Sequence, residues 1–220
     1  MKILYMGIGS KKLEERALLS DHQVITVETI ESLTVELTRP SLNPVVTIND
    51  LYNTSNFDAF VLNDSSSNWD TLYAHTSTKY WLCNPFDYRN SCNKNLQYAK
   101  ARNCLKTFPL YGKFENGTED FKVQYPGGYE VPFLVLFDKV IPLGNNVAKI
   151  NTLTHRMLRR FMFSLGLSVG VISLFKSFVT GSYYFNEFSP FIHWSTLSDS
   201  QVDYAIEYLN FESANRLKRI

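Results

Sequence analysis

"GLSVGVISLFKSFVTGSYYFNEFSP", residues Gly166 to Pro190, reads as two strands, "VGVISLFK" and "GSYYFNEF", joined by a tight turn at Thr180-Gly181. β-branched and aromatic side chains broken by a glycine are the signature of a hairpin. One carboxylate, Glu187, stands among the rings of the second strand, with Asn186, Ser189 and Pro190 around it. An acid at that place on an aromatic strand suggests a site.

The sequence around the hairpin predicts a mixed α+β region. Upstream, "TLTHRMLRRFMFSLGLS" spaces Leu153, Met157, Leu158, Phe161 and Leu165 as the apolar stripe of a helix, with Arg156, Arg159 and Arg160 on the other side. Before it, "FKVQYPGGYEVPFLVLFDKVIPL" gives a short strand, a Pro-Gly-Gly turn, a long strand through Leu136 and a tight turn at Asp138-Lys139. "SCNKNLQYAKARNCLKTFP" predicts a helix started by Ser91 or Asn93, with Leu96, Ala99 and Leu105 at helical spacing. Downstream, "SDSQVDYAIEYLNFE" predicts a last helix with Ser198 as its cap.

The first ninety or so residues differ in character. "KILYMGI", "HQVITVE", "FDAFVLND" and "TKYWLCN" are apolar runs of the kind that form strands buried on both faces, and "KKLEERALL" is a helix-forming stretch between the first two. Strands separated by helices imply right-handed crossovers and an open parallel sheet, a small Rossmann-like layer. The expected division is therefore 1–90 and 91–220. Gly7-Ile8-Gly9 follows the first strand but lacks the third glycine of a dinucleotide fingerprint, and Glu28 is the nearest acid for a ribose. A tight strand-to-helix turn explains the pair better.

Composition excludes several classes. The 220 residues, 45% hydrophobic and 20% charged, are those of an ordinary globular protein, and a net charge of +1 gives no pull toward nucleic acid or an acidic membrane surface. "MKILYMGIGS" has no signal-peptide pattern, and "RFMFSLGLSVGVISLF" is too short and too broken by Gly166, Gly170 and serines to span a bilayer, so a cytoplasmic protein is expected. Cys83, Cys92 and Cys104 lack metal-ligand spacing, and no serine or cysteine is coupled by motif to a histidine. Asp64 with Asp70 sits at the end of a predicted strand, and His193 beside Trp194 reads as a loop histidine packed on an aromatic.

The order helix, "GLSVGVISLF", turn, "SYYFNEFSP", aromatic loop and final helix resembles the ATP-grasp superfamily, and within it the ligases that act on peptides, such as the ribosomal-protein glutamate ligase and the graspetide maturases. The resemblance is sharpest from Pro126 to Trp194. It implies a pre-ATP-grasp layer followed by an ATP-grasp-like domain. It also implies that Lys94, Lys122, Gln124 and Glu130 fall where a nucleotide would be held, and Glu187 where magnesium would be.

The chain departs from that pattern at several positions. Ser173 stands where the first hairpin strand would carry an acidic metal ligand, Ser189 replaces the asparagine of acid-x-Asn-Pro, and Pro132 replaces an arginine. The stretch between Pro109 and "FKVQYPGG" is too short for most of a lid subdomain, although Lys106 and Lys113 lie near it. One carboxylate cannot hold two magnesium ions, which want carboxylates plus phosphate. The expectation is a degenerate, non-catalytic ATP-grasp-like protein that needs no cofactor. It would bind a protein or peptide in a larger assembly, with loops around Trp69, Trp81 and Trp194 as contact points and a homo-oligomer compatible with the sequence. The alternative is an ATP- and magnesium-dependent carboxylate–amine ligase whose lid comes from another subunit.

Overall fold

A computed structural model describes residues 1–36, 45–64, 69–105, 112–114, 121–123, 127–143 and 151–218, with 112–114 and 121–123 described by their backbone alone. From the N terminus run β1 (Lys2–Met6), α1 (Lys11–Leu19), β2 (Gln23–Val27), β3 (Leu33–Glu36), β4 (Val45–Ile48), β5 (Tyr52–Asn53), β6 (Ala59–Leu62), α2 (Trp69–Thr76), β7 (Tyr80–Leu82) and α3 (Pro85–Ser91). Then follow α4 (Lys94–Cys104), β8 (Gly112–Phe114), β9 (Phe121–Val123), β10 (Gly128–Leu136), β11 (Lys139–Pro142), α5 (Thr152–Ser164), β12 (Val169–Ser177), β13 (Tyr183–Ser189) and α6 (Asp199–Leu217). The fold is mixed α/β with several sheets. Among the described residues no helix is long and apolar enough to cross a membrane.

Two compact units emerge, residues 1–86 with 193–220, and residues 87–192. In the first, a parallel sheet is ordered β2-β1-β6-β7. The continuous apolar run of β1 is explained by its place: it is a central strand whose two faces are both covered, and Ile3, Leu4, Tyr5 and Met6 are at most 1% exposed. The strands β3, β4 and β5 form a separate antiparallel sheet. α6 buries Val202, Ala205, Ile206 and Leu209, and begins with a capping box between Ser198 and Gln201. Ion pairs fasten it to α1: Lys12 reaches Asp199 at 3.0 Å, and Arg16 Nε donates to Asp203 at 2.7 Å. A division at residue 90 would leave α6 with the second part; its packing on α1, β6 and β7 sets it with the first.

The second unit is built on an antiparallel sheet ordered β11-β10-β12-β13, and β8 pairs with β9 separately. α5 starts on the side chain of Asn151, which accepts from Thr154 N at 2.7 Å, and lays Leu158, Phe161 and Met162 inward. The Phe161 ring lies 5.1 Å from Phe185 and 5.9 Å from Phe188, so the aromatic strand around Glu187 faces a helix on its other side. Leu153, expected in this stripe, is 61% exposed, because the buried arc of α5 is centred on Leu158, Phe161 and Met162 and Leu153 lies well round the helix from it. Likewise α4 buries Gln97 and Ala101 while Ala99 is exposed, a rotation from the expected stripe that decides what the helix does at the sheet edge.

Gly166 ends α5. Its φ of +75° suits a residue without Cβ, and an added Cβ would lie 2.5 Å from the Asp87 carboxylate. Leu167 N then donates back to Met162 O at 3.1 Å, closing the helix terminus before β12 begins.

Candidate functional site

Three strands bring the polar groups together. Ser173 in β12 is paired with Pro132 of β10 on one side and with Glu187 of β13 on the other. Side chains alternate along a strand, so Glu130, two residues before Pro132, shares the sheet face of Ser173 and Glu187. The register of β13 slips between Ser173 and Leu174, leaving Asn186 as an extra residue. Such a bulge redirects a side chain, and Asn186 Nδ2 donates to Ser173 Oγ at 3.3 Å. Ser173 Oγ in turn donates to Glu130 Oε1. Ser173 is 3% exposed, whereas Glu130 and Glu187 open to solvent.

β13 is an edge strand, and its outer backbone groups need partners. Helix α4 supplies them. Gln97 Nε2 donates to Phe188 O at 2.9 Å and to Ser91 O at 2.6 Å, while Gln97 Oε1 accepts from Phe188 N at 3.1 Å. Tyr98 Oη donates to Asn186 O at 3.0 Å. Glu187 is therefore held between two clasped backbone positions. Burial raises the Tyr98 phenol above its ordinary range, and the negative charge of Glu187 adds to the rise. Lys94 opens α4 after its cap, Asn93, which accepts from Leu96 N at 3.1 Å. Lys94 is exposed and lies three and four residues before Gln97 and Tyr98, over the helix face that meets β13.

Of the residues singled out in the sequence, Glu130 and Glu187 thus share one sheet face, and Lys94 stands on the helix clasped to that sheet. Lys122 lies in β9 opposite Lys113 of β8, with only its backbone described, and Gln124 lies outside the described residues. Gln97 and Tyr98 escaped the sequence reading, because a glutamine and a tyrosine on a polar helix carry no motif. Asn186 was visible only as a neighbour of the acid.

Magnesium wants near-octahedral oxygen ligands, with one or two carboxylates plus phosphate. Ser173 is neutral and already bonded on both sides, and one Glu130 oxygen is occupied by it. Among the described residues no group of three or more His, Cys, Asp or Glu could hold a metal ion. The residues do not fit a two-ion site.

Elsewhere several expectations change. Trp69, Trp81 and Trp194 are 1%, 6% and 2% exposed, so they are core rather than contact points; amphipathic rings this large are drawn inward by the area they bury. Trp69 Nε1 donates to Asp64 at 2.9 Å, which gives that acid a structural partner. Gly7, at φ +126°, lets Asn63 approach, since a Cβ there would lie 2.7 Å from the Asn63 carbonyl oxygen. Gly9 gives way to Thr26. The glycine pair serves strand and helix packing, in keeping with a tight turn.

A parallel α/β unit and an antiparallel sheet packed with helices define a mixed α/β protein. The solved structures it resembles make the class specific. Macrocyclase MdnB from Microcystis aeruginosa MRC superposes with a TM-score of 0.78 at 15% identity, over 96% of this chain and 100% of that one. A RiPP-associated ATP-grasp ligase of Chryseobacterium gregarium, in complex with ADP and a leader and core peptide, gives 0.68 at 12%, over 96% and 97%. D-alanine-D-alanine ligase from Aeromonas hydrophila gives 0.59 at 14%, over the full length of both chains. The chain has the ATP-grasp fold. No family model and no curated protein matches its sequence.

Proposed function

We propose that this chain is a peptide-binding protein on an ATP-grasp fold that has lost ligation chemistry. In this reading the parallel-sheet unit, residues 1–86 with 193–220, is a Rossmann-like pre-ATP-grasp layer, and residues 87–192 are an ATP-grasp-like domain short of most of its lid. It works in the cytoplasm as one component of an assembly. The observation that carries the reading is Ser173: between Glu130 and Glu187, where charge would be needed, stands a buried neutral hydroxyl that donates to Glu130 and accepts from Asn186. A peptide partner is supported by the fold's likeness to an ATP-grasp ligase solved with a leader and core peptide and to a macrocyclase solved with a precursor peptide bound. Calorimetry with ATP and magnesium tests the loss of chemistry. No heat of binding is expected, and magnesium-dependent binding at micromolar affinity would overturn the proposal.

A second reading draws on Lys94 and Glu187, a cation and an acid on two elements clasped by Gln97 and Tyr98. If a lid is supplied in trans, they would face phosphate and magnesium in a carboxylate–amine ligase. The chemistry bound ATP supplies there is activation of a carboxylate. An ATP-consumption assay with peptide acceptors tests this reading, which requires that Glu187→Ala abolish turnover.

A further inference from the structure

The solvent face of α5 carries a pattern that the sheet site does not use. Leu153, Arg156, Arg160 and Phe163 follow one another at spacings of three, four and three, so they form a single row along the helix, with Arg159 at its flank. Leu153 is 61% and Phe163 85% exposed, and all three arginines are exposed. No acidic residue occurs in Thr152–Ser164, and no ion pair among the described residues involves these arginines. The arrangement is unlike a solvated face of mixed charge, which intersperses acids with bases and keeps large rings inward. It also contrasts with a whole-chain net charge of only +1.

We propose that this row is the docking face for the peptide partner, and that the docked segment is acidic, with carboxylates flanked on each side by an apolar residue. The inference rests on the peptide-partner half of the proposed function and adds the partner's chemistry. Ten residues of helix separate Leu153 from Phe163, which is roughly 15 Å at 1.5 Å per residue. An extended segment covers that distance in about five residues, enough to set two or three carboxylates over Arg156, Arg159 and Arg160 while its ends meet Leu153 and Phe163. Arginine suits the task because its planar fork takes a carboxylate bidentately, and a ring at the end of the row adds apolar area that becomes buried on docking. An anionic bilayer fits less well. An interfacial helix needs a broad apolar face to insert, and the broad apolar face of α5, Leu158, Phe161 and Met162, is spent on the sheet.

The test is fluorescence anisotropy with a fluorescein-labelled peptide of leucine and glutamate, its leucine and glutamine counterpart, and phosphatidylserine vesicles, all with the full chain. The glutamate peptide should saturate, weaken with added salt, and lose at least about ten-fold in affinity with R156E/R160E. Phe163→Ala should weaken it with the same salt dependence, and Lys11→Glu, an exposed charge on α1, should leave it unchanged. If R156E/R160E fails to fold by circular dichroism, R156Q/R160Q replaces it with the same expectation. Equal binding of the glutamine peptide, wild-type binding by the arginine variants, an equal loss with Lys11→Glu, or binding of vesicles in place of the peptide would each overturn the proposal. None of these outcomes depends on whether ATP binds, so failure here is distinct from failure of the lost-chemistry reading.

Discussion

Replacing Gln97 by leucine isolates what holds Glu187 in place. The side chain is 3% exposed, and leucine is close to it in volume, so no large cavity opens. What disappears is three hydrogen bonds: those to Ser91 O at 2.6 Å and Phe188 O at 2.9 Å, and that from Phe188 N at 3.1 Å. Two acceptors and one donor of the backbone are then orphaned in a covered sheet edge. Each orphan costs about 1–3 kcal/mol, and the apolar leucine returns roughly 1–2 kcal/mol by its own burial. The expected net loss is about 3 kcal/mol, read by urea denaturation followed by far-UV circular dichroism, with faster amide exchange at Phe188. A companion variant gives a sign. Gln97→Glu keeps the acceptor for Phe188 N but turns both donors into an acid facing two carbonyl oxygens, and burial there raises the new carboxyl's pKa. Its protonated form restores a donor. A folded-state pKa above the unfolded one makes stability greatest in acid and lost as pH rises through the carboxyl range, the reverse of ordinary acid unfolding. A Gln97→Leu protein within about 0.5 kcal/mol of wild type, the scatter of a neutral surface change, with Phe188 still protected, would refute the clasp.

Ser173→Asp should lower the melting temperature at neutral pH and low salt, by adding a charge between Glu130 and Glu187, and magnesium should raise it again in the variant but leave wild type unmoved. The Tyr80 phenol, 8% exposed, is held far above its ordinary pKa, chiefly by burial and then by the charge of Glu212. A raised folded-state value means stability that is complete below about pH 10 and falls as pH rises further. Tyr80→Phe should flatten that alkaline loss in a pH series of thermal melts. Gly166→Ala combines the left-handed φ of +75° with a Cβ 2.5 Å from the Asp87 carboxylate, and should cost about 2 kcal/mol in denaturant unfolding.

Much of this architecture was legible because periodicity reports burial. The apolar run of β1 announced a strand buried on both faces, and the glycine-broken aromatic runs announced the hairpin of β12 and β13. Ser198 marked the start of α6 by its capping chemistry. The short pieces β3, β4 and β5 went unread: four-residue strands without strong alternation look like loop, and pairing across sequence distance is what makes them a sheet. The tryptophans were misread for a related reason. Trp69 and Trp194 stand among polar residues and look like loop residues until what covers them is known, whereas Trp81 belongs to the strand run "TKYWLCN" and stacks on Phe60 at 4.9 Å.

The site divides along the same line. The sequence could set Ser173 near Asn186 and Glu187, since a hairpin turning near Thr180-Gly181 brings residues on either side across from one another, but it could not choose between them: continued from Leu174 and Phe185, the count pairs Ser173 with Asn186. What no hairpin rule supplies is the slip at Asn186, which breaks the simple count and turns an amide toward Ser173. Nor does helical spacing predict that α4 rotates to bury a glutamine in preference to an alanine. Gln97 is inward because the edge strand has backbone groups to satisfy, and an amide, with an acceptor and two donors at one end, can serve an N–H and a C=O of the same residue at once. The hydrophobic pattern of α4 is weak for the same reason: part of its inward face is chosen to complete a sheet rather than to exclude water. That choice links the position of Lys94 to that of Glu187 through one buried side chain, and so the geometry of the candidate site depends on a residue that carries none of its charge.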